Sequence, residues 1–405
     1  MTDFHQTGVI STLHWLGMSN LENLEEQLTA FAARRPTALV LPSLYSELKG
    51  SALKNIVKEL KEATYLREIV VALGKANQEE FRHAKRFFSV LPQETRIIWV
   101  DGKRMQSLFK VLVKEGLEIG PYGKGKAVWI AFGYVLASNK SRVITLHDCD
   151  ILRYNRELLA RLCYPVANPR QAHEFAKGYY SRISNDKLYG RVTRLFVTPL
   201  IRSIIKILGH IPLLDYMDSF RYPLAGEFSL TVDLASSVRI PSDWGLEVGM
   251  LAEIFRNTSL SRICQVDISA RYDHKHQPLS PGDHEKGLLK MSVDIAKSIF
   301  RTLASEGIVL SSAFFASLRG AYLRTAQDAI RDYHDDAAIN GLRFDRHEEA
   351  IAVEAFNKGV KIAGERYLVD PLGVPLIDNW NRVTSAFPDF LDRLKEVVEL
   401  DNKGK

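Results

Sequence analysis

The stretch Val143-Ile144-Thr145-Leu146-His147-Asp148-Cys149-Asp150 sets four apolar or β-branched residues directly before two carboxylates, in the only Asp-x-Asp of the chain. A short apolar run of this kind predicts a buried strand, and the aspartates that follow fall on a loop at its carboxyl end. Upstream, three similar runs at 37–41, 68–73 and 96–100 alternate with helical spacings over 20–34, 51–64, 79–88, 105–115 and 126–137. Strands alternating with helices predict right-handed crossover units and an α/β, Rossmann-like, mostly parallel sheet flanked by helices. Such sheets bind ligands beyond the carboxyl ends of their strands. The two aspartates lie there.

Downstream the pattern changes. Helical spacing resumes over 191–208, and 222–270 mixes loops with a helix at 245–257 and a strand at 261–268. Beyond Pro281 come long helical patterns over 284–304, 311–333 and 347–366, and no proline interrupts the chain again until Pro371. A chain of 405 residues exceeds the length at which single cores usually stop growing. Two units are therefore expected, a catalytic one over 1–280 and a helical C-terminal extension over 281–405 suited to oligomerisation.

Composition narrows the function classes. The 46% hydrophobic and 25% charged residues are those of a globular protein. A net charge of +6 with no basic run interleaved with aromatics argues against nucleic acid as partner. The three cysteines, Cys149, Cys163 and Cys264, are odd in number and widely spread, which points to a reducing compartment without a disulfide framework. The first sixteen residues hold no continuous apolar region, and the longest apolar candidate, 195–214, is broken by Pro199, Arg202, Lys206 and His210. The expectation is a cytoplasmic protein with no membrane span.

Several constellations could carry chemistry. Asp148 and Asp150 suit a hard divalent cation, held by one or two carboxylates together with substrate phosphates; aspartate serves equally as a helix N-cap or turn residue. Gly123-Lys124-Gly125-Lys126 opens a helix whose amides could hold phosphate, though without the spacing of a Walker loop, and a flexible turn fits as well. Tyr189-Gly190-Arg191-Val192-Thr193 places a glycine, a guanidinium and a hydroxyl at a helix start, which suits an anionic acceptor or an ordinary cap. His274 and His276 follow a strand, where one neutral imidazole could complete a metal site. Glu227 and Glu247 are carboxylates beside apolar and aromatic residues, as sugar-hydroxyl anchors, bases or helix-end charges.

Taken in order, these segments resemble the glucosyl-3-phosphoglycerate synthases and the related mannosyl-3-phosphoglycerate synthases, retaining glycosyltransferases of the GT-A fold in family 81. The resemblance runs from about residue 37 to 279. It rests on Leu41-Pro42-Ser43-Leu44, on Gly123-Lys124-Gly125-Lys126-Ala127-Val128-Trp129, on Asp148 with Asp150, and on Gly190-Arg191-Val192-Thr193 with Pro199-Leu200. Pro223-Leu224-Ala225-Gly226-Glu227, Gly245-Leu246-Glu247-Val248-Gly249, and His274 followed by Pro278-Leu279 complete the set.

The resemblance implies transfer of glucose from UDP-glucose or GDP-glucose to the 2-hydroxyl of 3-phosphoglycerate, for compatible-solute synthesis, with Mg²⁺ or Mn²⁺ as cofactor. GDP-mannose as donor, or free glycerate as acceptor, is the alternative. It further implies that Pro42, Ser43, Leu44, Glu47 and Gly74 lie at the donor base and ribose, Lys126, Asp148 and Glu227 at the donor, and Asp150 with His274 at the metal. Gly190, Arg191, Thr193 and His276 would bind the acceptor; Glu247, Asp150 and Lys126 would serve catalysis. A homodimer is expected. The chain departs from the family in Tyr45-Ser46-Glu47, where many relatives have Asn-Glu-Glu, and in Gly74-Lys75-Ala76-Asn77, which lacks the usual Asp-Ser-x-Ser-x-Asp.

Overall fold

The computed structural model describes residues 8–18, 20–274, 278–280, 283 and 285–403. Among these, nine strands form one connected sheet: β1 (Ser11–Leu13), β2 (Thr37–Leu44), β3 (Leu66–Gly74), β4 (Glu94–Trp99), β5 (Val143–Leu146), β6 (Phe175–Ser184), β7 (Lys187–Leu188), β8 (Phe228–Thr231) and β9 (Ile263–Tyr272). The order is β1-β9-β6-β8-β5-β2-β3-β4, with β7 paired to the end of β6. β2, β3, β4 and β5 run parallel, as do β6, β9 and β1. Only β8, antiparallel to both β5 and β6, and the short β7 reverse direction. The expected α/β, mostly parallel sheet is the observed one.

Alternation along the strands explains the layers. In β2, Ala38 and Val40 face one core while Leu39 and Leu41 face another; β3 repeats the split with Val70 and Ala72 against Ile69 and Val71. A strand buried on both faces reads as a continuous apolar run, which is why these strands were legible. One face is covered by helices Ser51–Leu60, Gln78–Phe88 and Arg156–Ala167. The other carries helix Lys124–Ser138 and the C-terminal helices Gly287–Ser305, Ser312–Ile339, Arg346–Val369 and Phe390–Lys403. These helices share one core with the sheet: Phe390, Leu394 and Val398 belong to the same buried cluster as Val40 and Val70. Trp380 stacks on Trp129 with ring centroids 4.3 Å apart, and their indole N–H groups donate to the carbonyls of Trp129 and Asp378.

The helical spacing at 191–208 is realised as a π-helical stretch, Val192–Val197, running into the α-helix Thr198–Leu208. No helix among the described residues is long and apolar enough to cross a membrane.

Candidate active site

Strand direction gathers the site at one edge of the sheet. β2 and β3 end in register at Leu44 and Gly74, and β5, parallel to β2, ends at Leu146 just before the aspartate loop. β8 runs the other way, so its first residue, Phe228, pairs with Leu146 and brings the preceding Glu227 to this edge. β9 ends here too, at Tyr272, and delivers His274.

The centre is a lysine between carboxylates. The Lys124 ammonium lies 2.7 Å from Asp148 Oδ1 and 3.3 Å from Glu247 Oε1. Lys124 opens the helix Lys124–Ser138, and Glu247 sits in the first turn of Leu246–Asn257. Burial alone would raise the Asp148 carboxyl, but Lys124 outweighs it and holds the group below its ordinary range. A Cβ on Gly226 would stand 2.6 Å from Asp148 Oδ2 and 3.0 Å from the Lys124 ammonium, so glycine is what lets the chain pass this pair.

Asp150 and His274 form the second half. Asp150 Oδ2 and His274 Nδ1 are 3.8 Å apart, within the roughly 4.2 Å spanned by two metal–ligand bonds of about 2.1 Å. Burial, and then the neighbouring Asp148 charge, push the Asp150 carboxyl up to about 7, the condition of a carboxylate short of positive charge. An oxygen and an imidazole nitrogen at this spacing fit Mg²⁺ or Mn²⁺. Among the described residues no group of three or more His, Cys, Asp or Glu side chains surrounds a metal position, and a hard divalent cation held by one or two side chains leaves positions that substrate phosphate oxygens and water can fill.

Behind the aspartates lies a closed polar layer. Glu227 is 0% exposed and accepts hydrogen bonds from Tyr180 (2.9 Å) and Tyr272 (2.5 Å), whose rings stack 3.7 Å apart. Burial and Asp148 raise its carboxyl. Lys177, 1% exposed on β6, has its amine pushed down to about 8 by burial, with Glu247 and Glu227 pulling the other way. His147 is buried, with Nδ1 2.9 Å from the Asp148 carbonyl, and burial lowers the imidazole to about 4, so the ring is neutral and braces the loop.

The other residues singled out from sequence lie as follows. Leu44 and Gly74 adjoin one another, and the Tyr122 hydroxyl fills the space a Cβ on Gly74 would need. Pro42 and Ser43 precede Leu44 on β2, and Glu47 lies in the short helical turn that follows. Lys126 does not join the carboxylates: its ammonium sits 4.3 Å from the Phe109 ring centroid and 3.4 Å from the Gly120 carbonyl. Residues two apart on a helix point to opposite sides, and here it is Lys124 that faces Asp148. Gly190 adopts φ +80°, beside Tyr222. Arg191 is bound to Glu348 and Glu349 of the C-terminal helix Arg346–Val369, and Thr193 is buried. His276 lies outside the described residues.

Lys124, Lys177, Tyr180, Tyr272 and Tyr122 were not picked out from sequence. Lys124 stood inside a quoted motif and lacked only the helix phase. Nothing in the pattern around Lys177 distinguishes it from a surface lysine.

Comparison with known proteins gives the following. No family model matches the chain. It is 49% identical to the glucosyl-3-phosphoglycerate synthase of Persephonella marina over 402 residues, 99% of each chain. It is 40% identical to that of Methanococcoides burtonii over 405 residues, covering 99% of this chain and 98% of the relative. Its fold is similar to the crystal structure of Mycobacterium tuberculosis glucosyl-3-phosphoglycerate synthase in complex with Mn²⁺, UDP-glucose and phosphoglyceric acid. The TM-score is 0.52 and identity 21%, over 75% of this chain and 89% of that one.

Proposed function

The chain belongs to the glucosyl-3-phosphoglycerate synthases, and from that premise we propose that it moves glucose from a nucleoside-diphosphate-glucose to 3-phosphoglycerate, giving glucosyl-3-phosphoglycerate. The observation that carries this is the Asp148–Lys124–Glu247 contact beside Asp150 and His274, at the edge where the sheet binds ligands. UDP-glucose is the favoured donor, since the mycobacterial relative binds it; GDP-glucose and GDP-mannose are the competing donors.

Asp150 and His274 would hold Mg²⁺ or Mn²⁺, which when bound offsets the negative charge that builds on the departing diphosphate. Asp148, fixed by Lys124, would orient the donor, with Leu44, Gly74 and Tyr122 against its base. Lys124 also fixes Glu247, which would meet the sugar or the acceptor hydroxyl. Glu227 does not suit a double displacement, being closed off by two tyrosines, and on Glu247 the Lys124 ammonium draws charge from the carboxylate that would have to attack. Retention is better served by front-face attack, in which the leaving phosphate oxygen takes the acceptor's proton. Gly190, Arg191 and Thr193 would receive the anionic acceptor.

The same reading includes a cytoplasmic homodimer, resting on the long helical patterns beyond Pro281 and on three cysteines that stay unpaired; a monomeric mass by light scattering would remove the dimer. The decisive experiment incubates purified protein with 3-phosphoglycerate, each of the three donors and Mg²⁺ or Mn²⁺. Release of nucleoside diphosphate with coupled glucosyl-3-phosphoglycerate supports the assignment, and no release with any donor overturns it.

A further inference from the structure

The loop that would take the acceptor is already occupied by carboxylates from the far end of the chain. Arg191 Nη2 lies 2.7 Å from Glu348 Oε2 and its Nε 2.6 Å from Glu349 Oε1. Lys187 Nζ, on β7, reaches the same Glu348 oxygen at 2.7 Å. Arg194 Nη2 completes the cluster, 3.0 Å from Glu349 Oε2.

The two glutamates differ in burial. The Glu349 side chain is 2% exposed and shared between two guanidiniums, as a fixed structural charge is. The Glu348 side chain is 48% exposed, and its partners Arg191 and Lys187 are 23% and 28% exposed. Exposed ion pairs contribute little and exchange readily with competing anions. A phosphate dianion offers three acceptor oxygens and more charge than one carboxylate, so it is the better partner for a guanidinium and an ammonium that converge on a single point. Close by, the buried Thr193 hydroxyl has no hydrogen-bond partner, as though the loop's polar groups were completed only in another state.

We propose that Glu348 is a placeholder for the acceptor phosphate, displaced from Arg191 and Lys187 when the acceptor binds, and that Lys187 is thereby a further phosphate-binding residue. The idea rests on the acceptor lying at Arg191. Glu349 stays in place and keeps the Arg191 guanidinium aimed, so the C-terminal helix both holds the acceptor loop and competes for it. The class of ligand is a phosphorylated hydroxy acid, whose dianionic phosphate outcompetes Glu348 where a lone carboxylate would only match it.

Steady-state kinetics of the full-length enzyme test this with 3-phosphoglycerate as the varied substrate. Glu348→Gln keeps the shape and removes the charge. The KM for 3-phosphoglycerate then falls several-fold while that for UDP-glucose does not move. A damaged fold cannot produce such a gain, and an unchanged or increased acceptor KM overturns the placeholder. Lys187→Met raises the acceptor KM roughly tenfold, and no change removes Lys187 from the site. Arg191→Ala separates the two levels. If it leaves the acceptor KM untouched, the placement of the acceptor fails; if it raises it while Glu348→Gln and Lys187→Met are silent, only the placeholder fails.

Discussion

At the scale of single residues, the site turns on which lysine faces the aspartates and on the charge that Asp150 lacks. Lys124 lies between Asp148 and Glu247, whereas Lys126 lies over Phe109. Lys124→Ala leaves two half-buried carboxylates without their shared cation, and kcat/KM should fall by roughly a hundredfold or more. Lys126→Ala should cost far less, and equal losses in the two variants would contradict the placement. For Asp150, the folded carboxyl is raised to about 7 by burial and Asp148, against an ordinary value of 3.8. The stability this group contributes to metal-free protein is therefore complete below about 4 and is lost as pH rises through about 7. Cation binding has the opposite slope, because the carboxylate must shed its proton first. Mn²⁺ affinity measured by calorimetry should rise roughly tenfold per pH unit below about 7 and then level off, and a flat profile would remove Asp150 from the ligands.

At the scale of elements, the legible parts of the sequence were those where one period dominates. β2, β3 and β5 each hold an apolar or β-branched run, at 38–42, 69–73 and 143–146, and the site edge could be found because Asp148 and Asp150 come just after one of them. β6 was not legible: its ten residues carry Lys177, Gly178 and Arg182, which break the apolar run that a buried strand usually shows. The helix Arg156–Ala167 was hidden by Pro165 near its end, and β8 by Ser229, which leaves its apolar residues as single positions rather than a run. Helix phase was the other loss, since the Gly-Lys-Gly-Lys motif gives two lysines and only packing decides between them. That packing is testable at Gly133, on the same helix, where a Cβ would stand 2.0 Å from Trp380. Gly133→Ala must push the indole off Trp129, at a cost of about 1–3 kcal/mol and a lower melting temperature, despite alanine's better helix propensity. A stabilised variant would mean that the Trp129–Trp380 stack does not bear on the helix.

At the scale of the whole molecule, the C-terminal helices belong to the catalytic unit's core. Ser312–Ile339 packs along Thr198–Leu208, Gly287–Ser305 against Leu246–Asn257, and Phe390–Lys403 against both Lys124–Ser138 and β4. Phe196, next to the acceptor loop, meets Tyr322 and Phe356, and Trp129, on the Lys124 helix, meets Trp380. Each large side chain uncovered forfeits about 1.5–3 kcal/mol, so exposing even a few consumes much of the roughly 5–15 kcal/mol by which a native protein is stable. The helices also carry Glu349, without which Arg191 and Arg194 lose their buried partner. A chain ending at residue 280 should therefore aggregate on expression or lack cooperative unfolding by circular dichroism. A soluble truncated chain that unfolds cooperatively and binds UDP with Mn²⁺ would instead make 1–280 a self-sufficient domain. The helical extension would then be a regulator of the acceptor loop alone, acting through Glu348 and Glu349.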